Sequence, residues 1–445
     1  MTTQILMAST LYGTATLAAA LDAGCLPPAD RRILLVSNNA ATPETTPAVD
    51  GMPGFERLRS RFDDVVSWNA TVFPLHPGAW SPRPDDVPLW ERHLRPAWGL
   101  GDDDVTLVVE SLQVDPALAV ARIFADAPLT VYADGLMSYG PTRNRLDPLV
   151  GTRVERLLHL DLVPGLRPLL LTEFDVPAEV VPTRAFTEVL DELADTAPVL
   201  PEAAGAAVLL GQYLSALGIL TAEEEERLHV RMLRGAAGLG HTRAVFKPHP
   251  TAPARYTRTL EQEAGRLGVE LTVLDTPVLA ETLFARLRPA LVVGCFSTAL
   301  LTASAFYGLP VARVGTNTLL DRLTPYENSN RIPVTVVDAL LPGPDDAAAV
   351  AGRRGALDTD ALQDLVRAVG FAMQPRILPG LRAEAERYLA ARLDGRTRPY
   401  FKRRRLTSLG LPGGVPARLG FLPRSATVRR AARTARRLRR TVARG

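Results

Sequence analysis

Residues 244–250 read Ala-Val-Phe-Lys-Pro-His-Pro. Three strand-like residues run into Lys247 and then into a histidine, His249, held between Pro248 and Pro250. Each proline fixes its own φ and pushes the residue before it towards extended backbone. The His249 imidazole is therefore expected on a stiff turn at the carboxyl end of a strand, the edge of an open α/β sheet where ligands bind. The alternative is a rigid loop whose histidine is only a surface residue.

Working outward, short apolar runs alternate with helical patterns on both sides of this stretch. Residues 5–8, 33–36, 65–68, 105–109 and 129–132 read as strands. They end, in turn, in Ser9-Thr10, Ser37-Asn38-Asn39, Asn69, Glu110-Ser111 with Gln113 nearby, and Asp134-Gly135. A stretch rich in Pro, Ala and acidic residues at about 177–206 reads as the boundary between two domains. Beyond it, 208–210, 244–246, 271–274, 290–293, 310–314 and 333–337 read as strands, the first entering Gly211-Gln212-Tyr213. Alternating strands and helices predict a mostly parallel sheet in each half with helices on both faces. The expected division is 1–200, 205–400 and an Arg-rich tail, 401–445, that is either flexible or a basic helix.

The 445 residues suffice for two domains, and 22% charged residues with abundant aliphatics describe a soluble globular chain. Of 51 basic residues only Lys247 and Lys402 are lysines. The net charge of +3 hides an asymmetry: residues 401–445 carry 14 Lys or Arg and no acid, which leaves the first 400 at −11. Two cysteines, Cys25 and Cys295, are too few for a disulfide framework or a cysteine-based zinc site, and they fit a reducing cytoplasm. The start of the chain lacks the basic segment of a secretory signal. The longest charge-free run, 289–312, is of membrane-spanning length but contains Gly294, Ser297, Gly308 and Pro310, and it reads better as strand, helix and strand.

Three motifs at strand ends can carry chemistry. Asp134-Gly135 is either an Asp-Gly turn or a carboxylate presented as a general base. His249 can offset charge building on a departing phosphate. Ser297-Thr298 opens a helix and is either a plain N-cap or, with the free N–H groups there, a phosphate site. From 425 onwards a helix would show an alanine-rich face among arginines, suited to an anionic membrane surface or to non-specific nucleic acid.

In order and spacing, Asp134-Gly135, His249-Pro250 and Ser297-Thr298 resemble the three motifs of the bacterial sialyltransferases of GT-B fold. The wider wording, including Glu110-Ser111-Leu112-Gln113, the run 132–143 (YADGLMSYGPTR) and 208–220 (VLLGQYLSALGIL), is most similar to the bacterial α-2,8-polysialyltransferase family. The resemblance covers about residues 3–340. It implies two Rossmann-like domains facing a central cleft, a CMP-sialic acid donor, inversion at the anomeric carbon, and neither metal nor cofactor. Asp134 would be the base, His249 would stabilise the CMP leaving group, and Ser297 with Thr298 would hold its phosphate. Glu281 matches an acidic position that looks like a ribose-hydroxyl binder. Lys247, Gly211 and Gln212 join the expected donor side, and Glu110, Gln113, Ser9 and Asn38 the acceptor side. The family's motif usually has two acidic residues before the glycine, and here the first is Ala133.

The acceptor expected is a glycan or glycolipid hydroxyl, met in the cytoplasm or at the inner face of the membrane, with the basic tail on anionic lipid. Two alternatives stay open: a GT-B enzyme using another CMP- or nucleotide-activated sugar, and a non-catalytic protein of this fold binding anionic lipid or nucleic acid through its tail.

Overall fold

The computed structural model describes residues 1–133, 135–196, 204–249, 256–274, 276–352 and 357–415. Within them lie two wholly parallel sheets. The first comprises β1 (Thr2–Ala8), β2 (Arg31–Val36), β3 (Asp64–Ser67), β4 (Asp104–Glu110), β5 (Leu129–Ala133), β6 (Val154–Leu160) and β7 (Ala178–Val181), ordered 3-2-1-4-5-6-7. The second comprises β8 (Ala207–Leu210), β9 (Arg243–Lys247), β10 (Glu270–Val273), β11 (Leu291–Gly294) and β12 (Val311–Arg313), ordered 10-9-8-11-12. Each is a doubly wound, Rossmann-like sheet, and the pair gives the GT-B-like architecture.

Strand composition explains the burial. In β1, Ile5 and Met7 enter the apolar cluster behind the first sheet, while Leu6 and Ala8 enter the one on its other face. In β5, Leu129, Val131 and Ala133 face the first of these and Tyr132 the second. Successive side chains point to opposite faces, so only an almost continuous apolar run satisfies a sheet covered on both sides. The cluster holding Leu6 and Tyr132 continues into the second sheet through Leu209, Phe246 and Val292, so one core joins the two halves.

One expectation is corrected here. Residues 333–337, expected as a strand, lie in the helix Arg331–Leu340. That helix is buried on all sides, so its run of β-branched residues is set by packing and not by pleat. The stretch 177–206, read as boundary, holds β7 and the helix Thr183–Ala194. Phe186, Val189, Leu190 and Leu193 form that helix's buried face, and Tyr12 stacks edge-on against Phe186, which in turn meets Phe306.

The run 289–312 folds as β11, a helix and β12, and among the described residues no helix is long and apolar enough to cross a membrane. Residues 401–415, counted with the tail, pack on the body: Arg405 pairs with Glu327 at 2.7 Å and donates to the Ala372 carbonyl. The candidate basic helix from 425 lies outside the described residues. The last helices also reach the first half, where the Gln374 amide donates to the Arg143 carbonyl at 2.7 Å.

Candidate active site

Strand order reverses between β1 and β4 in the first sheet and between β8 and β11 in the second. At such switch points the loops leaving neighbouring strands diverge and open a crevice. Each reversal is bridged by one of the expected residues. In the first, the Ser9 hydroxyl and N–H donate to Glu110 Oε2 at 2.6 and 3.2 Å. In the second, the Phe296 N–H donates to Gln212 Oε1 at 3.1 Å.

On the first sheet's edge, burial pushes the Glu110 carboxyl above its ordinary range, and the bonds from Ser9 pull it back. Immediately after it the backbone is strained: Ser111 and Leu112 take φ of 55° and 42°. Left-handed backbone at non-glycine residues costs on the order of 1–3 kcal/mol each and collects at functional sites. The turn delivers Gln113 into the interior, where its Oε1 accepts from the Arg143 N–H at 2.6 Å. Gln113 thus holds chain, and so does Asn38, whose amide nitrogen donates to the carbonyls of Pro43 and Thr46 while its oxygen accepts from the Ala40 N–H. Of the four expected acceptor-side residues, Ser9 and Glu110 come together at the crevice, and Gln113 and Asn38 shape its loops. Asp134 lies outside the described residues. Its neighbour Ala133 faces the cluster behind the first sheet.

On the second sheet's edge, Gly211 is required sterically. A Cβ there would meet Phe246 Cζ at 3.0 Å, Pro248 Cα at 3.1 Å and the Lys247 carbonyl at 3.2 Å. Its N–H donates to that same carbonyl at 2.9 Å. The close approach sets the next residue but one, Tyr213, against His249, with ring centroids 4.1 Å apart. Burial, and then the charge of Lys247, push the His249 imidazole down to about 4. At neutral pH and without ligand it is uncharged.

Behind His249, Lys247 and Glu281 are both buried. Burial lowers the lysine and Glu281 raises it, while burial lifts Glu281 to about 7 against the pull of its own backbone N–H, Lys247 and the Thr302 hydroxyl. Thr302 also donates to the Thr298 carbonyl at 3.3 Å and lies 3.4 Å from the Tyr12 hydroxyl. Ser297 caps the helix Thr298–Ala305, its Oγ accepting from the Ala299 N–H at 3.3 Å.

The two edges meet at Gly135 and Thr298. A Cβ built on Gly135 would stand 3.0 Å from Thr298 Oγ1. Gly135, in the loop after β5, therefore lies against the second sheet's helix start. Two grooves, of about 620 and 640 Å³, are lined by none of these residues. Sequence reasoning missed Tyr213, Thr302 and Tyr12. Tyr213 was signalled by its place directly after Gly211-Gln212, whereas the roles of Thr302 and Tyr12 depend on how the halves pack.

Among the described residues, no group of three or more His, Cys, Asp and Glu could hold a metal ion. A family model for Alpha-2,8-polysialyltransferase (POLYST) matches residues 4–316. No curated protein matches the chain. Among solved structures it is similar to MurG of Acinetobacter baumannii, at 11% identity over 87% of this chain and 95% of that one, with a TM-score of 0.39. It is also similar to UGT2 of Phytolacca americana complexed with UDP-2-fluoroglucose and pterostilbene, at 12% identity, 92% and 99% coverage and a TM-score of 0.37. Likenesses at this level add nothing to what the strand order already gives.

Proposed function

The chain belongs to the α-2,8-polysialyltransferase family, and is thus a glycosyltransferase; from that premise we propose that it moves sialic acid from CMP-sialic acid to a glycan or glycolipid hydroxyl, with inversion. The observation that carries the reading is the approach of Gly135 to Thr298. Gly135 follows Asp134 in sequence, and the helix it approaches opens at Ser297-Thr298, which supports a carboxylate acting across from the phosphate-holding groups.

In this reading Asp134 takes the proton from the acceptor hydroxyl as its oxygen attacks the anomeric carbon. The bond from that carbon to the CMP oxygen breaks in the same displacement, so the configuration inverts. CMP departs with both electrons of that bond. The N–H groups at the start of the helix Thr298–Ala305 and the hydroxyls of Ser297 and Thr298 are disposed to hold its phosphate. A neutral His249 donates a hydrogen bond to that phosphate, and the growing negative charge raises its proton affinity from the low value of the free site. Glu281, lying beside Lys247, receives a ribose hydroxyl. Because Ala133 faces the interior, the absence of a second acid before Gly135 takes no carboxylate out of the cleft. The reaction needs no cofactor in this scheme, and the enzyme works on the cytoplasmic side, with residues 425–445 on anionic lipid.

Calorimetric titration with CMP, CDP, UDP and CMP-sialic acid, on the wild type and on His249→Ala, tests the donor. Binding confined to CMP and CMP-sialic acid and weakened in the variant supports the reading. Equal binding of UDP, or no nucleotide binding, refutes it.

A further inference from the structure

Tyr12 stands in the first turn of the helix Leu11–Asp22, which follows β1, and so belongs to the first sheet's side. Its ring is held in place. It lies edge-on to Phe186 at 5.2 Å, and Phe186 in turn meets Phe306, the residue that ends the second sheet's helix Thr298–Ala305. The Tyr12 hydroxyl lies 3.4 Å from Thr302 Oγ1, within hydrogen-bond reach across the join between the two halves.

Thr302 is wholly buried, so its hydroxyl must find its partners inside the protein. A hydroxyl has one hydrogen to give and lone pairs with which to receive. Two of the neighbours of Thr302 receive only: the Thr298 carbonyl at 3.3 Å, and the carboxylate of Glu281, whose ionised form the hydroxyl favours. Its hydrogen therefore goes to one of these, and the charged one makes the stronger bond. That leaves the Tyr12 hydroxyl to act as donor to Thr302. The bonds then run one way, from Tyr12 to Thr302 to Glu281, and each strengthens the next.

The end of that chain is the carboxylate read above as the receiver of a ribose hydroxyl. Thr302 and Lys247, which both act on Glu281, come from the second sheet's side as Glu281 does. Tyr12 comes from the first. We infer that Tyr12 is a positioning residue for the nucleotide site: acting through Thr302, it holds the Glu281 carboxylate in the orientation that accepts the ribose, so that the acceptor half of the molecule completes recognition of the donor. The inference rests on the reading of Glu281 as the ribose residue.

The test is a comparison of two ligands, CMP and dideoxy-CMP, which lacks both free ribose hydroxyls. Each is titrated into the full chain as wild type, Tyr12→Phe, Thr302→Val, Thr302→Ser and the double variant Tyr12→Phe with Thr302→Val. The wild type is expected to prefer CMP. Tyr12→Phe keeps the ring and its contact with Phe186, and it should cut that preference by about 3- to 10-fold, the size of one hydrogen bond, with affinity for dideoxy-CMP unchanged. Thr302→Val should cut it at least as far, Thr302→Ser should restore it, and the double variant should lose no more than Thr302→Val alone. A preference that survives in Tyr12→Phe overturns the inference. So does an equal loss of both ligands in that variant, which marks a packing role, and so do losses that add in the double variant, which mark independent action. A wild type that binds both ligands equally removes Glu281 from the ribose and the inference with it. Failure of the donor reading itself has a different signature, a wild type that binds neither, and this overturns both.

Discussion

The Tyr213 ring lies 4.1 Å from the His249 imidazole, centroid to centroid, at an interplanar angle of 44°. The contact ties the loop after β8 to the loop after β9, and it gives the histidine an orientation that its flanking prolines alone do not. A ring pair of this kind is worth roughly 0.5–1.5 kcal/mol beyond its buried area. Tyr213→Ala should therefore lower kcat/KM by about 2- to 10-fold, while Tyr213→Phe keeps the stack and stays near wild type. Steady-state kinetics on both variants check this. A phenylalanine variant as impaired as the alanine one would shift the role from the ring to the hydroxyl.

A side chain at Gly135 would crowd Thr298, whose Oγ1 stands 3.0 Å from the position of its Cβ. Gly135→Ala should push the first sheet's motif away from the helix start and raise KM for the nucleotide sugar. Thr298→Ala, which removes the opposing hydroxyl, should make the same glycine substitution cost less. A double-mutant cycle measures the coupling. Additive effects would show that the two residues do not touch in the working enzyme.

Glu281 makes stability pH-dependent. Burial raises its carboxyl from 4.5 to about 7, so the folded state favours the protonated form. That contribution is full below about 4.5 and is lost as pH rises through about 7. Glu281→Gln stays neutral throughout. The unfolding free energy of the variant relative to wild type should therefore rise with pH between these limits and then level, by an amount on the order of 1–3 kcal/mol. Loss of the charge beside Lys247 shifts the level of that difference. Denaturant unfolding at several pH values reads it, and a difference independent of pH would mean that Glu281 titrates like a solvated carboxyl.

Much of the fold was legible because parallel strands covered on both faces leave near-continuous apolar runs, such as those of β1 and β2. The ends of those runs marked Ser9, Glu110, Gln212, His249 and Ser297 before any packing was known. The misreadings have physical causes. Residues 333–337 carry the β-branched composition of a strand, yet they lie in a helix whose polar stripe, Arg331, Thr335 and Asp338, is itself buried, so composition there follows packing and not pleat. The helix Thr183–Ala194 was obscured by prolines and acids near it, although Phe186, Val189, Leu190 and Leu193 follow helical spacing. Asn38, expected on the acceptor side, ends a strand, and its amide closes the loop that follows. Tyr12 against Thr302 joins residues 290 apart, and no local pattern encodes that.

Deleting residues 425–445, which carry arginines and no acids, should weaken binding to vesicles rich in anionic lipid. Transfer to a soluble acceptor should be unaffected. Vesicle flotation of the full chain and the truncated chain compares them, and unchanged binding would remove the tail from any membrane role.

The most direct measurement is transfer by the full chain and by Asp134→Asn, with the product's anomeric configuration read by NMR and CMP affinity measured on both proteins. The account predicts that the wild type releases CMP and forms a sialoside of inverted configuration. It predicts that Asp134→Asn loses about 100-fold or more of that rate, the range of a general base, with CMP affinity preserved. A variant that turns over near the wild-type rate, or a wild-type product of retained configuration, would contradict it.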